Sequence, residues 1–393
     1  MLPRMTLLRR AESEEDREAL RQVLGRSFAI EPERWKSWME RIGPETLRVI
    51  RHGPRIVGGL GSYRIGQHWG GRVVPFAGFA GVGVSPEARG LGLARRMMQA
   101  ALADVAAEGF PIAGLYASTA TLYRAVGFEQ AGAAIRWSAP VASFGGGDHA
   151  LACDLASEDE HPRLAQLYEA RARTTNGHLV RNEGLWARLR HPHPSAVDTY
   201  RFGPASEPEG YAMISQREGE GLSIELSLRD VVLASRAAAR RFLALVEDLR
   251  SLGNEARWLG PASDPIVSLL PEESAKVREH HRWMLRIVDV AAALKARGYA
   301  ASVRGSATFA IRDATLPSNE RTYRLTVEGG TAEVEVGIPA SVTLDVRALA
   351  ALWSGFTPPE TLRVMGLLEG DPDDAHRLAA LFAGPEPWLP DWF

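Results

Sequence analysis

The sequence predicts an α/β protein that closes in an α+β layer. A small-residue strand, a glycine-rich bend and a long amphipathic helix follow one another over residues 79–107. A strand–long helix–strand order recurs over 222–259 without the glycines. From about residue 286, short strands joined by a Gly-Gly turn precede three helices. The first two blocks have βαβ order, and the last has the strands-then-helices order of an α+β layer. A chain of 393 residues has room for two or three domains. We place them at 1–148, 149–285 and 286–393.

In the first block, Ser13 precedes the acidic turn Glu14-Glu15-Asp16 and opens a helix to about Phe28. Trp35, Trp38, Met39 and Ile42 follow at roughly helical spacing. Residues 47–51 and 56–65 read as strands joined at His52-Gly53-Pro54, with further strands over 73–76 and 79–84. The helix over 91–107 carries Leu93, Met97, Ala101, Leu102 and Val105 as its apolar stripe. A buried strand over 112–117, a short helix over 120–126 ending at Gly127, and a strand from Phe128 complete the block.

The second block has a helix over 164–173, strands over 211–217 and 222–233, a long helix over 235–252 and a strand over 256–259. The third opens with a short helix over 290–297, for which Gly298 is the expected C-cap. Strands over 307–312, 323–328 and 332–336 follow, the last two joined by Gly329-Gly330. Helices are expected over 345–353, 361–368 and 373–382.

Composition narrows the function. The formal net charge of −2 argues against a dedicated nucleic-acid binder. Cys153 is the only cysteine, which excludes internal disulfides and Cys-rich zinc sites. The histidines show no metal-ligand spacing. His191-Pro192-His193-Pro194 reads as a stiff loop and His280-His281 as solvated, so no metal is expected. Residues 1–16 lack the apolar run of a signal peptide, and no stretch approaches a membrane span, so a cytoplasmic enzyme is the default expectation.

The bend Arg89-Gly90-Leu91-Gly92-Leu93-Ala94-Arg95 brings a helix N-terminus, glycines and arginines together. Free N–H groups there form an anion site suited to a pyrophosphate. A plainer role is a helix packed closely on a strand through small residues. A Walker A loop needs Gly-Lys-Ser/Thr, which is absent, and Arg95 stands where a dinucleotide fingerprint needs its third glycine. Arg89-x-x-Gly92-x-Ala94 resembles the acetyl-coenzyme A signature of the GNAT N-acetyltransferases. In the second block the corresponding turn, Leu233-Ala234-Ser235-Arg236-Ala237, lacks the glycine bend.

With the run from Trp283 to Tyr299, and Tyr116-Ala117-Ser118-Thr119-Ala120-Thr121-Leu122-Tyr123 followed by Gly127-Phe128, the chain resembles the Eis (enhanced intracellular survival) acetyltransferases over essentially its whole length. The resemblance implies tandem GNAT folds, the second degenerate and without cofactor, then a sterol-carrier-protein-like α+β domain that supplies part of the active site. It also implies a homohexamer that uses acetyl-CoA. Its acceptors would be small-molecule amines, above all multi-amine cations such as aminoglycosides. Protein lysines or polyamines are the alternative acceptors, and a non-catalytic acyl-CoA sensor is the alternative of another class.

The chemistry assigns candidate residues. The backbone of Gly90 to Arg95 would hold the phosphates, with charge-assisted bonds from Arg95. Val82, Gly83 and Val84 would line the pantetheine arm, with a backbone N–H near Val84 as oxyanion donor. Ser118 and Thr119 either contact the cofactor or cap the short helix after them. Tyr123 is the candidate general acid, by resemblance to the family's proton donor; on its own it reads as a core or surface residue. Tyr116 reads as a packing residue. The tail Pro385-Glu386-Pro387-Trp388-Leu389-Pro390-Asp391-Trp392-Phe393 is stiff and aromatic, built to dock. The plainer role is packing; the resemblance implies that the terminal carboxylate of Phe393 takes the amine's proton. The family often has an acidic residue just before that Phe. Here Trp392 stands there, and Asp391 is the candidate to replace it on the acceptor side. Phe28, Glu31, Trp35 and Trp38 are candidate acceptor-pocket residues or ordinary packing.

Overall fold

A computed structural model describes residues 8–28, 32–192, 195–218 and 224–393. It divides into two compact units. One comprises Met1–Gly132, Arg282–Pro385 and Trp392–Phe393, and the other Ala133–His281 and Glu386–Asp391.

The first unit begins with β1 (Arg9–Arg10), α1 (Glu14–Phe28), α2 (Pro32–Ile42), β2 (Arg48–His52), β3 (Arg55–Trp69) and β4 (Arg72–Val84). It continues through α3 (Leu93–Ala107), β5 (Ile112–Tyr116) and α4 (Ala120–Arg124) to the start of β6 (Glu129–Pro140). Ser13 Oγ accepts from the Asp16 N–H at 3.1 Å, the expected cap. The two strands expected over 73–84 are one continuous strand, because Gly70-Gly71, both at positive φ, already turn the chain at residue 70. The stripe of α3 is buried as its spacing requires: Leu93, Met97, Ala101, Leu102 and Val105 all face the core. Burial of Leu93, Met97, Leu102 and Val105 contributes about 1.5–3 kcal/mol each.

The second unit contains the rest of β6 and β7 (Cys153–Leu155), α5 (His161–Arg173), α6 (Glu183–Arg190), β8 (Asp198–Phe202) and β9 (Gly210–Glu218). β10 (Ile224–Leu233), α7 (Arg236–Asp248), β11 (Glu255–Gly260) and α8 (Pro265–Leu269) follow. Its strands lie in the order β6-β11-β10-β9-β8-β7, with β10 and β11 parallel around the α7 crossover.

The chain returns to the first unit along β12 (Lys276–Ile287), whose residues 283–287 pair antiparallel with β5. Sequence reading places only a strand or helix start after His280-His281, whereas β12 begins at Lys276. It gives the first unit the sheet order β1-β2-β3-β4-β5-β12. α9 (Val290–Ala296), β13 (Gly305–Arg312), β14 (Thr322–Glu328), β15 (Thr331–Val336), β16 (Val342–Asp345), α10 (Val346–Ser354), α11 (Pro359–Val364), β17 (Leu368–Gly370) and α12 (Pro372–Leu381) complete it. The small sheet runs β15-β14-β13-β16-β17. The helix expected over 361–368 stops at Val364, because Gly366 at φ 68° turns the chain into β17. Gly298 is not a left-handed cap; a Cβ there would fall 2.0 Å from the Gly70 carbonyl oxygen, so close approach demands the glycine.

Arg286 and Asp313 form a fully buried ion pair at 2.6 Å. The same carboxylate accepts from the Leu316 N–H and Asn319 Nδ2. Asp313→Ala strands a buried guanidinium, which costs about 3–5 kcal/mol. Urea unfolding of the variant is expected to show that loss in its lowest-midpoint transition; an unchanged midpoint would show that the pair contributes nothing.

Candidate active site

The site starts where two parallel strands part. β4 and β5 pair only at Phe76↔Ile112, Ala77↔Ala113 and Gly78↔Gly114. Beyond Gly78, β4 follows β3 alone, through a bulge between the pairs Gly61↔Ala80 and Gly59↔Gly83. Gly81 takes φ 59° in that bulge, a conformation that suits glycine. The Ser85 N–H donates to the Val57 carbonyl at 2.7 Å. Strand alternation then turns the N–H and C=O of Val84 away from β3, toward the side where β5 has parted. The Val84 carbonyl accepts from Arg89 Nε at 3.3 Å, so Arg89 braces the bend.

Gly90 and Gly92 have φ 79° and 70°, and a Cβ on either would meet nothing within 4 Å. Gly92 is the N-cap of α3 and supplies no capping side chain, leaving the first N–H groups of Leu93, Ala94 and Arg95 open. Leu91, Arg95 and Arg96 are exposed around them, and among the described residues neither arginine has an ion-pair partner. This cradle of backbone donors, glycines and free guanidinium groups fits a pyrophosphate. Thr119 occupies the N-cap position of α4, but its side chain makes no cap hydrogen bond. Ser118 immediately precedes it.

Tyr123 is buried in the same hydrophobic cluster as Val84, Leu93 and Leu115, with its ring 6.0 Å from that of Phe128. Burial pushes its phenol up to about 12. It therefore stays protonated at any ordinary pH.

The C-terminal residue seats in this unit. The Phe393 ring lies edge-on to Phe76 at 5.7 Å and to Tyr63 at 6.0 Å, and Trp392 stacks on Tyr116 at 4.3 Å. A Cβ on Gly78 would fall 2.7 Å from the Phe393 ring. The tail thus docks beside the point where β4 and β5 part. Tyr116 packs as expected, but against the tail.

The acceptor-side candidates divide. Trp38 lies against Gly61 and Gly81, and Phe28 against Gly83, which brings both to the bulged part of β4. Trp35 is buried and lies 5.0 Å from Trp38. Glu31 lies outside the described residues. Asp391 is a correction. It belongs to the second unit, is buried, and accepts from Arg181 Nε at 3.0 and 3.1 Å. Arg181 also holds Asp230 at 2.6 Å and lies 3.7 Å over the Tyr168 ring. Burial lifts the Asp391 carboxyl despite Arg181. A carboxylate sealed in this clamp anchors the tail and is not available to an acceptor amine. Tyr63, Phe76, Gly78 and Arg181 escaped sequence reasoning; the aromatic tail signalled docking but not its seat.

Gly78→Val places a branched side chain where the Phe393 ring sits. Carboxypeptidase release of Phe393 is expected to quicken by about tenfold or more, as for a locally opened segment. Equal release rates would remove Gly78 from the seat.

Known proteins resemble this chain along its whole length. Residues 8–131 and 177–287 each match a model of an acetyltransferase (GNAT) domain, and residues 290–390 match a sterol carrier protein domain. An uncharacterized N-acetyltransferase of Streptomyces avermitilis is 30% identical over 82% of each chain. N-acetyltransferase Eis of Mycobacterium tuberculosis is 27% identical over 98% of each chain. Among solved structures, a GCN5-related N-acetyltransferase from Anabaena variabilis superposes with TM-score 0.94 at 32% identity, over 98% of this chain and 100% of that one. Eis1 from Mycobacterium abscessus, 24% identical, shares the fold with TM-score 0.81, over 99% of this chain and 100% of that one. Two GNAT domains followed by a sterol-carrier-like domain, with this degree of likeness along the whole chain, place the protein among the GNAT N-acetyltransferases, with Eis as a full-length relative.

Proposed function

We propose that the protein acetylates primary amines of multi-amine cations, aminoglycoside-like molecules in particular, by direct attack of the amine on acetyl-CoA. Tyr123 is the acid in this reading, and the Phe393 terminal carboxylate is the base. The observation that carries it is the seat of Phe393 beside the parting of β4 and β5, in the unit that also holds the glycine cradle.

Bound acetyl-CoA supplies the thioester carbonyl that the amine attacks. The N–H groups of Leu93 to Arg95 bind its pyrophosphate and Arg95 adds charge. Val82 to Val84 offer a strand edge to the pantetheine amides, and the Val84 N–H stabilises negative charge on the carbonyl oxygen. The carboxylate of Phe393 accepts the amine's proton; an ordinary α-carboxyl is a weak base, so the reading requires its half-buried aromatic seat to raise its basicity. Tyr123 donates its hydroxyl proton toward the departing sulfur. Phe28, Trp35 and Trp38 offer aromatic faces to a cationic acceptor. The choice of multi-amine substrate rests on the family resemblance.

Coenzyme A release measured over aminoglycosides, polyamines and lysine peptides tests this reading. One alanine added after Phe393 moves the carboxylate by about 3.8 Å. That variant and Tyr123→Phe are each expected to lose about 10²-fold in kcat, with acetyl-CoA affinity retained. Undiminished turnover of the extended chain would refute the carboxylate's role. Turnover only with polyamines or lysine peptides would reassign the acceptor, and acetyl-CoA binding without turnover of any amine would indicate a sensor. Because burial holds Tyr123 near 12, its ionisation lies above the working range. The pH–kcat profile is therefore expected to show no basic limb from this group below about pH 11.

A further inference from the structure

The second unit keeps the strand opening without the phosphate cradle. β10 and β11 pair in parallel from Glu225↔Glu255 to Leu228↔Trp258 and then part. A register shift between Leu228 and Asp230 takes β10 onward along β9. This is the topological counterpart of the parting of β4 and β5. A cavity of about 580 Å³ lies there, an ordinary size for a small-molecule site. Its walls are chiefly apolar, with Leu228, Val231, Trp258, Ile266, Leu269 and Trp388 among them.

The start of α7 differs from that of α3. Ser235 Oγ accepts from the Ala238 N–H at 3.0 Å, and its hydroxyl donates to the Glu209 carboxylate. A filled cap beside an acid leaves no place for a pyrophosphate. The occupant of the cavity is therefore not a nucleotide-bearing thioester held in the manner of the first unit.

The charges around the cavity say what it is. Asp230 is held by Arg181 and by the Tyr211 hydroxyl. Asp264 accepts from Trp258 Nε1 and from the Ile266 and Val267 N–H groups, and burial lifts it to about 6. Two cationic side chains remain. Arg171 donates to the Val231 carbonyl and lies 5.5 Å from the Trp388 ring centre, in no ion pair among the described residues. Arg229 donates to the Arg188 carbonyl, and its Nε is buried without a hydrogen-bond partner. Burial, with Arg217 and Arg188 nearby, lowers Arg229 to about 10. Arg171 and Arg229 thus border the apolar walls with no ion pair of their own among the described residues, beside the two hydrogen-bonded carboxylates, and an anion would give them a partner.

We propose that this cavity is a second ligand site, which takes a monoanion with a compact apolar body, a medium-chain carboxylate being the simplest form. The headgroup meets Arg171, and the chain lies along Trp258 and Leu269. The site is independent of acetyl transfer in the first unit.

Calorimetric titration of the full-length protein with octanoate tests it, with 1-octanol and octylamine as neutral and cationic controls and coenzyme A as competitor. Saturable octanoate binding is expected, at least about tenfold stronger than either control, and unaffected by saturating coenzyme A. Ser268→Trp, at a residue lining the cavity, should abolish it. Arg171→Met should weaken it about tenfold, as loss of a charge-assisted bond does. Absence of saturable binding in the millimolar range, equal affinity for octanol, displacement by coenzyme A, or indifference to Ser268→Trp would each overturn the proposal. If Arg171→Met fails to fold, the headgroup comparison on the unaltered protein still decides.

Discussion

The parting of two parallel strands is the constraint on which the first unit depends. Once β5 leaves β4 after Gly114, the far edge of β4 has no partner strand, and its peptide groups must find partners elsewhere. The bulge at Gly81 makes the departure possible, because the extra residue bends β4 away while its ladder with β3 continues. The next elements of the first unit border that opening. The bend at Gly90 and Gly92 starts α3 at its edge, and α4 starts just after β5 ends. The C-terminal Phe393 fills the hollow that Gly78 leaves over the strand. The glycines thus do two kinds of work, positive φ at 81, 90 and 92 and missing bulk at 78.

The second unit shows what the same strand geometry becomes when the helix start changes. A serine cap and a glutamate replace the glycines, and the anion site closes. The opening persists as a chiefly apolar cavity bordered by Arg171, Arg229, Asp230 and Asp264. The two units thus share the strand opening but not the helix start that borders it.

The periodic features were legible in the sequence. The α3 stripe from Leu93 to Val105, the Arg89–Ala94 signature and the Gly329-Gly330 hairpin all follow local rules, and local rules can be read locally. What stayed hidden is non-local. β12 pairs with β5 across more than 160 residues, and nothing in the Lys276–Ile287 run names its partner. Asp391 reads as a free acid near the chain end, yet Arg181, 210 positions earlier, takes it into a buried ion pair. Gly298 looks like a helix cap, and only the nearness of Gly70 shows why a side chain cannot stand there. The tail was recognisable as a docking segment from its prolines and aromatic rings, but its seat on Tyr63, Phe76 and Tyr116 required the fold.

In the proposed mechanism one opening in the first unit serves both the acetyl donor and the chain's own C-terminus. A crystal structure of the protein with coenzyme A tests it most directly. The pyrophosphate is expected within hydrogen-bond distance of the Leu93–Arg95 N–H groups, the pantetheine between β4 and β5, and the Phe393 ring still over Gly78. Coenzyme A bound away from the glycine bend, or bound there only with Phe393 expelled from its seat, would contradict it.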